Sequence, residues 1–406
     1  MAKLAFFFAG NVLFATGLIF HAFLYNFYLE ALELSPEVMG HAAAALTAGS
    51  LVTLIPGGLL ADRAGSRTTL LLGTLILTVG LALGAVAATP LTVSGAAVLA
   101  GAGSGLWRVA MAPVLMRLTT PETRARAFAW NIGLVVIWSG AGVWLAGASS
   151  AWLEASWGLG RLPALRIALL LGAAGSAASA LLFRTLRFEE PAGEIPSSGP
   201  AFAPPPAALR ELLILVVLVG VWMLGPALSS QFLNIFFSRE HGLPIERIGF
   251  LFGVVSWGWA LIVFGSGELA RRFGVQRVLF ASLLLFAPAT LGLSLASSVE
   301  LAVALYFFQG VAAPLTTPLI DQWLLGRTPP DRQGTVSSWR QLAADLSAMA
   351  GASLGGRILA QGAFDTLFLT ASAIGLVGAL GMIASGRALS SPPVPLSANA
   401  ARGNSV

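Results

Sequence analysis

Runs of about 20 apolar residues, each long enough to cross the roughly 30 Å hydrocarbon core of a bilayer as an α-helix, alternate with short polar turns along the chain. Twelve membrane helices are predicted, over residues 4–29, 36–61, 68–88, 91–115, 125–147, 162–183, 212–237, 245–270, 278–297, 301–325, 334–358 and 364–385. The first follows Lys3 but is longer than the ~7 to 15 residues of a cleavable signal core, so it reads as a span. Ser35-Pro36-Glu37 supplies a helix start: an N-cap residue type, a proline at the first helical position and an acid in the first turn. A long polar break over 189–208, rich in proline (Pro196, Pro200, Pro204, Pro205, Pro206), predicts an extended linker. The expected organisation is a six-helix bundle over 1–188, that linker on the cytoplasmic side, a second six-helix bundle over 209–388 and a disordered tail over 389–406.

The two halves repeat each other. Shifting the chain by 209 residues matches Gly40 to Gly249, Gly58 to Gly267, Arg63 to Arg272 and Gly65 to Gly274. It also matches Thr119 to Thr328, Pro121 to Pro330, Glu122 to Asp331, Trp130 to Trp339, Gly142 to Gly351 and Gly147 to Gly356. Matches among apolar residues arise cheaply, whereas turn residues and tryptophans carry weight. The fold class that follows is an all-α integral membrane protein made of two pseudo-symmetric six-helix bundles.

The turn between the second and third helices reads Gly58-x-x-x-Asp62-Arg63-x-Gly65-x-Arg67. There Gly58 admits close helix approach, Gly65 permits positive φ, and the arginines suit the headgroup level. This pattern resembles the corresponding loop of the major facilitator superfamily of transporters. The repeat copy, Gly267-Glu268-Leu269-Ala270-Arg271-Arg272-Phe273-Gly274, has Arg271 where the first copy has Asp62. The resemblance, which spans nearly the whole chain, implies a secondary transporter whose site lies near mid-membrane between halves that rock against each other. It further implies that the loop acts as a conformational gate, Asp62 engaging the start of the eleventh helix near Asp331 and Arg332. The family's antiporter signature is only partly present: Gly140-Ala-Gly142-Val-Trp-Leu-Ala-Gly147 lacks its proline.

Composition agrees with the membrane reading: 56% of residues are hydrophobic and 10% charged, against ~25% charged in soluble domains. The formal charge of +5 is scattered singly at helix ends, so no nucleic-acid partner is expected; the lipid bilayer is. With the N-terminus in the cytoplasm, 16 of the 23 basic residues fall on that side and five on the other (Arg161, Arg166, Arg239, Arg247, Arg357). The positive-inside rule then puts both termini in the cytoplasm of a bacterial inner membrane. Glu30, Glu33 and Glu37 of the first outer loop face no positive charge there. The chain has no cysteine, which excludes thiol chemistry, and its three histidines lack metal-ligand spacing, so no metal and no cofactor are expected.

Ionisable groups inside the hydrocarbon are costly and mark function or pairing. Arg108, Asp321, Arg340 and Asp345 are the candidates. Arg108 lies about 13 Å from the cytoplasmic end of its helix at 1.5 Å per residue, and Asp345 is the deepest acid. Pairing of Asp321 with Arg340 or Arg108 is the structural expectation; titration of Asp345 as proton carrier is the functional one. On the first and seventh helices Asn11, His21 and Tyr25 share a wedge of about 80°, with Gln231 and Asn234 as counterparts, the shift placing Asn234 opposite Tyr25. These groups line a substrate cavity or bond helices together. The glycines of Gly101-Ala-Gly103-Ser-Gly105 suit close helix packing. Trp107, Trp138, Trp222, Trp257 and Trp259 either face the cavity or pack.

The functional expectation is therefore a monomeric alternating-access transporter, not an enzyme. It carries a small organic molecule, with protons as coupling ion and efflux ahead of uptake of a sugar or organic acid. The rival of another class is a membrane-embedded lipid-modifying enzyme.

Overall fold

A computed structural model describes residues 2–186, 207–328 and 332–388. Among these residues there is no strand, and the helices follow the apolar runs. The first group comprises α1 (Ala2–Ala31), α2 (Pro36–Val52), α3 (Leu54–Ala64), α4 (Ser66–Val86), α5 (Pro90–Arg117), α6 (Pro121–Trp157) and α7 (Arg161–Thr185). The second comprises α8 (Ala207–Ser229), α9 (Leu233–Arg239), α10 (Ile245–Phe273), α11 (Val275–Ser294), α12 (Val299–Leu325), α13 (Gln333–Gln361) and α14 (Phe364–Ala388). The linker expected over 189–208 lies outside the described residues as far as position 206, as do Asp331 and the 389–406 tail.

Fourteen helices make twelve spans because two spans are broken. α2 and α3 meet at a 41° bend. Pro56 brings no N–H to that turn, and the Thr53 hydroxyl donates toward Gly49 O (3.0 Å), Ser50 O (3.1 Å) and, on α5, Ala102 O (3.1 Å). α8 and α9 are joined by a 3₁₀ turn at Ser230–Phe232, four residues after Pro226, which lies inside α8. Ten helices or joined segments are long and apolar enough to cross a membrane, and the bent pair is an eleventh. α13 completes the set: it is 29 residues long, and Arg340, Asp345 and Arg357 dilute its apolar character. α6 runs ten residues past the predicted 147, because nothing breaks it before Gly158, which turns with φ 62°.

The helix ends follow local chemistry. Thr89 and Thr92 form a capping box ahead of α5, whose first residue is Pro90. Ser35 precedes Pro36 as expected, although its side chain makes no cap bond. Gly65 and Gly274, matched by the repeat, both turn with positive φ (89° and 85°). The α5 glycines are packing positions: an added Cβ would stand 1.9 Å from Leu46 O at Gly101 and 2.1 Å from Leu77 N at Gly103. α5 is thereby wedged between α2 and α4.

With an even number of spans, the start of α1 and the end of α14 share one face, here termed proximal; the opposite face is distal. The two groups meet where α2 packs on α13 and α6 on α10. These contacts are glycine-mediated. A Cβ at Gly40 would lie 3.1 Å from Gly356 Cα and 2.2 Å from Ala352 O; one at Gly249 would lie 3.3 Å from Gly147 Cα. The 209-residue shift carries the first contact onto the second, so the interface is pseudo-symmetric.

Candidate functional site

Between the two groups lies a cavity of about 450 Å³. Its wall is dominated by the second group. α1 and α6 contribute Ile19, Ala22, Phe23 and Val143, whereas Ser230, Gln231, Asn234, Ser256, Tyr306 and Gln309 supply its polar lining. An aromatic belt surrounds these groups: Phe252 and Tyr306 lie 4.5 Å apart between centroids, and Trp259 meets Tyr306 edge-on at 5.2 Å. Gly310 makes room for the Trp259 ring, since a Cβ there would stand 1.8 Å from it. No charged residue lines the cavity.

Below the cavity the halves are bonded at the distal face. Asn26 on α1 donates to Asn234 Oδ1 (3.2 Å) and to the Gln231 carbonyl in the 3₁₀ turn, while Asn234 Nδ2 donates to Phe23 O (2.8 Å). Glu30 takes Arg161 of its own half at 3.0 Å and Arg239 of the other half at 2.7 Å. Arg357 on α13 reaches Glu37 on α2 at 3.2 Å. This corrects the expectation that Glu30 and Glu37 face no positive charge. Their partners come from α7, α9 and α13, which charge counting within a single loop does not see. Nearer mid-bundle Trp257 Nε1 on α10 donates to Ile137 O on α6 (2.9 Å).

The four intramembrane charges form two pairs. Arg340 Nε lies 2.6 Å from Asp321 Oδ1 within the second group. Arg108 on α5 reaches Asp345 on α13 at 3.4 Å, an ion pair that crosses between the halves. Gln341 donates to Asp345 Oδ1 at 3.0 Å and lies beside Arg340, so the pairs adjoin. Asp345 is the more enclosed partner, its side chain 14% exposed against 40% for Arg108.

The polar stripe of the first helix does not reach the cavity. Asn11 is buried and donates to Asn131 on α6 at 2.6 Å, a bond within one half. His21 lies against Tyr25 with ring centroids 4.0 Å apart, and a Cβ at Gly84 of α4 would sit 3.5 Å from the Tyr25 hydroxyl. The face of α1 turned to the cavity is instead Ile19, Ala22 and Phe23. Gln231 and Asn234 do line it, and the shift that sets Asn234 opposite Tyr25 misses Asn26, which is the residue that meets Asn234. Of the five tryptophans only Trp259 stands in the wall. Trp107 stacks on Phe14 at 4.4 Å, Trp138 donates to Thr16 and Trp222 to Leu283 O. Tyr306 and Gln309 went unnoticed in sequence; the available signal was an uncharged amide inside the apolar run of α12.

At the proximal face the motif residues are spread. In place of the close approach expected at Gly58, a Cβ there would meet no atom within 4 Å, and the same holds at Gly267. The 41° bend directs α3 away from the line of α2. Asp62 and Arg63 are exposed; Arg67 donates to Arg184 O at 2.6 Å. Arg271 and Arg272 both pair with Glu268, the former at 2.6 Å. Among the described residues Asp62 makes no ion pair, and Asp331, its expected neighbour, lies outside them.

Comparison with known proteins bears on the fold and the family. The sequence model of the Major Facilitator Superfamily matches residues 5–223 and 211–404. Among curated proteins, "Putative multidrug resistance protein MdtD" of Klebsiella pneumoniae is 26% identical over 121 residues, which is 30% of this chain and 26% of that protein. The aligned stretch is thus about a quarter of that relative's length. Among solved structures, a mutant of nucleoside transporter NupG superposes with a TM-score of 0.78 at 14% identity, covering 95% of this chain and 100% of the other. A bacterial homologue of iron transporter ferroportin in an inward-facing state gives 0.74 at 17% identity, covering 95% and 98%.

Proposed function

Because the chain belongs to the Major Facilitator Superfamily and is a multi-pass membrane transporter, we propose that it exports a small, uncharged, amphipathic organic solute from a bacterial cell, as a monomer in the inner membrane with both termini in the cytoplasm. The observation that carries this reading is the cavity between the halves, with its aromatic belt, neutral polar lining and lack of charge. Apolar walls with a few fixed polar groups favour amphipathic solutes over ionic ones. The match to a protein named for multidrug resistance, though short, supports export. With the proximal face cytoplasmic, the state described here is closed to the outside and takes up its solute from within.

Protons are the proposed coupling ion and Asp345 the proposed carrier. Its carboxylate is held by Arg108 across the interface and by Gln341 along α13, with Arg340 and Asp321 adjoining. Protonation removes the charge that attracts Arg108, which frees the halves to move. Asp62, Arg63 and Arg67 and their counterparts Arg271 and Arg272 are proposed to gate the proximal face when it closes. Uptake of a sugar is the second reading, favoured by the amides of Gln231 and Gln309 in the wall.

Flux into proteoliposomes under an imposed pH gradient, run against a panel of uncharged amphiphiles, sugars and organic acids, tests the reading. Amphiphile transport driven by the gradient in the wild type and lost in Asp345→Asn is expected. Gradient-driven flux undiminished in Asp345→Asn removes that residue from the coupling. A lipid-turnover assay on the same preparation, expected to give no product, separates transport from the enzymatic alternative.

A further inference from the structure

Ser230 and Gln231 are exposed in the cavity wall, and among the buried polar side-chain atoms of its described lining residues several are engaged and one has no partner. Asn234 is engaged at both ends of its amide: its nitrogen donates to Phe23 O, and its oxygen receives Asn26 and the Ile235 backbone N–H at 2.9 Å. The Ser256 hydroxyl donates to Phe252 O at 2.7 Å and the Trp259 indole to Phe307 O at 2.9 Å. Gln309 differs. It is 5% exposed, its Nε2 donates to Ser229 Oγ at 3.0 Å, and its Oε1 is buried with no partner among the described residues. Ser229 is the last residue of α8, immediately before the 3₁₀ turn, so the hydroxyl that holds the amide adjoins a turn whose Gln231 carbonyl is bonded to the opposite half.

A buried carbonyl oxygen without a partner is costly, and that cost is removed when a ligand supplies a donor. Tyr306 stands one helical turn before Gln309, and both belong to the wall that carries the aromatic belt. From this placement we infer that Gln309 is the specificity-determining residue of the cavity, and that the solute class is a ring-bearing, uncharged molecule presenting an N–H or O–H donor to Gln309 Oε1 while its ring lies against Tyr306, Phe252 and Trp259. Asn234 by contrast is a clasp between the halves. A carboxylate is disfavoured, because an oxygen acceptor would face an oxygen acceptor with no cation in the wall. Removal of the donor from a solute leaves the carbonyl unpaired, so binding weakens by about tenfold or more. This inference rests on the reading of the cavity as the solute site.

The test is calorimetric binding to the full chain in lipid nanodiscs, with empty nanodiscs as blank, using two matched pairs of probes: indole with N-methylindole, and benzimidazole with N-methylbenzimidazole. Wild type is expected to prefer the N–H member of each pair by about tenfold. Gln309→Met, close in shape but without the acceptor, is expected to abolish the preference while still binding the methylated members. Ser229→Ala, which releases the amide, is expected to reduce the preference without abolishing it. Equal binding of both members by wild type, or a preference that survives in Gln309→Met, overturns the inference while leaving the cavity as the solute site. Failure of every probe to bind wild type overturns the cavity assignment together with the inference.

Discussion

At the distal face the two halves meet backbone to backbone through Gly40, Gly147, Gly249 and Gly356, whereas toward the proximal face Gly58, Gly133, Gly265 and Gly267 meet no atom where a Cβ would stand. Both sets include glycines matched by the 209-residue shift, and in the distal set the matched glycines are the contact positions between the halves. Small residues permit the close approach that drives helix association in lipid, where burial of apolar surface offers little gain. The distal contacts are reinforced by Asn26 with Asn234, Glu30 with Arg239 and Glu37 with Arg357. At the proximal face Arg271 and Arg272 pair with Glu268 of their own helix. On the proposed function, the bonded distal end is the closed end of one of the two states that alternating access requires.

The contrast is broken most severely by filling the distal contact. Gly40→Leu and Gly356→Leu each force side-chain atoms into the opposing backbone, and overpacking of about 1–3 kcal/mol per site shifts the balance between states by about tenfold to a hundredfold. The expected readout is lost transport with intact folding, and a cysteine at Gln231 that becomes reactive from the distal side. The pair Arg108–Asp345 gives the next largest effect. Arg108→Gln or Asp345→Asn alone leaves an unpaired charge in the bundle and is expected to lower thermal stability by about 1–3 kcal/mol, with the double substitution recovering at least half of that loss. Glu30→Gln removes two exposed partners and is expected to cost about 0.5–1 kcal/mol, an effect that disappears at high salt. The smallest change is Gly58→Ala or Gly267→Ala, within about 1 kcal/mol of wild type in stability, because the added methyl enters open space. Comparable damage from Gly58→Ala and Gly40→Ala would erase the distinction between the two faces.

Spans, repeat and turns were legible because each is written in local chemistry: an apolar run of sufficient length, or a glycine that takes φ 89° at position 65 and 85° at position 274. The breaks within spans were less so, since Thr53 acts through a bond to Ala102 on another helix. Legibility failed where partners are distant. Helical spacing grouped Asn11, His21 and Tyr25 on one face, but spacing does not say whether that face meets the cavity or a neighbouring helix; Asn131 and Gly84 occupy it. Glu30 and Glu37 found arginines more than 100 residues away, as the bonds to Arg161 and Arg357 span 131 and 320 positions. Gln309 carried a signal, an amide in hydrocarbon, whose meaning depends on which of its atoms Ser229 satisfies.

The central claim is that the halves pivot, so the two faces must open in opposition. The chain has no cysteine, which makes paired spin labels selective: Ser35→Cys with Glu240→Cys reports the distal face, and Ala64→Cys with Phe273→Cys the proximal one. Pulsed electron resonance on labelled protein, with and without Gly356→Leu, is expected to show the distal distance lengthening as the proximal one shortens. Two distances that move in the same sense, or a distal face that opens with no change at the proximal one, would contradict the account.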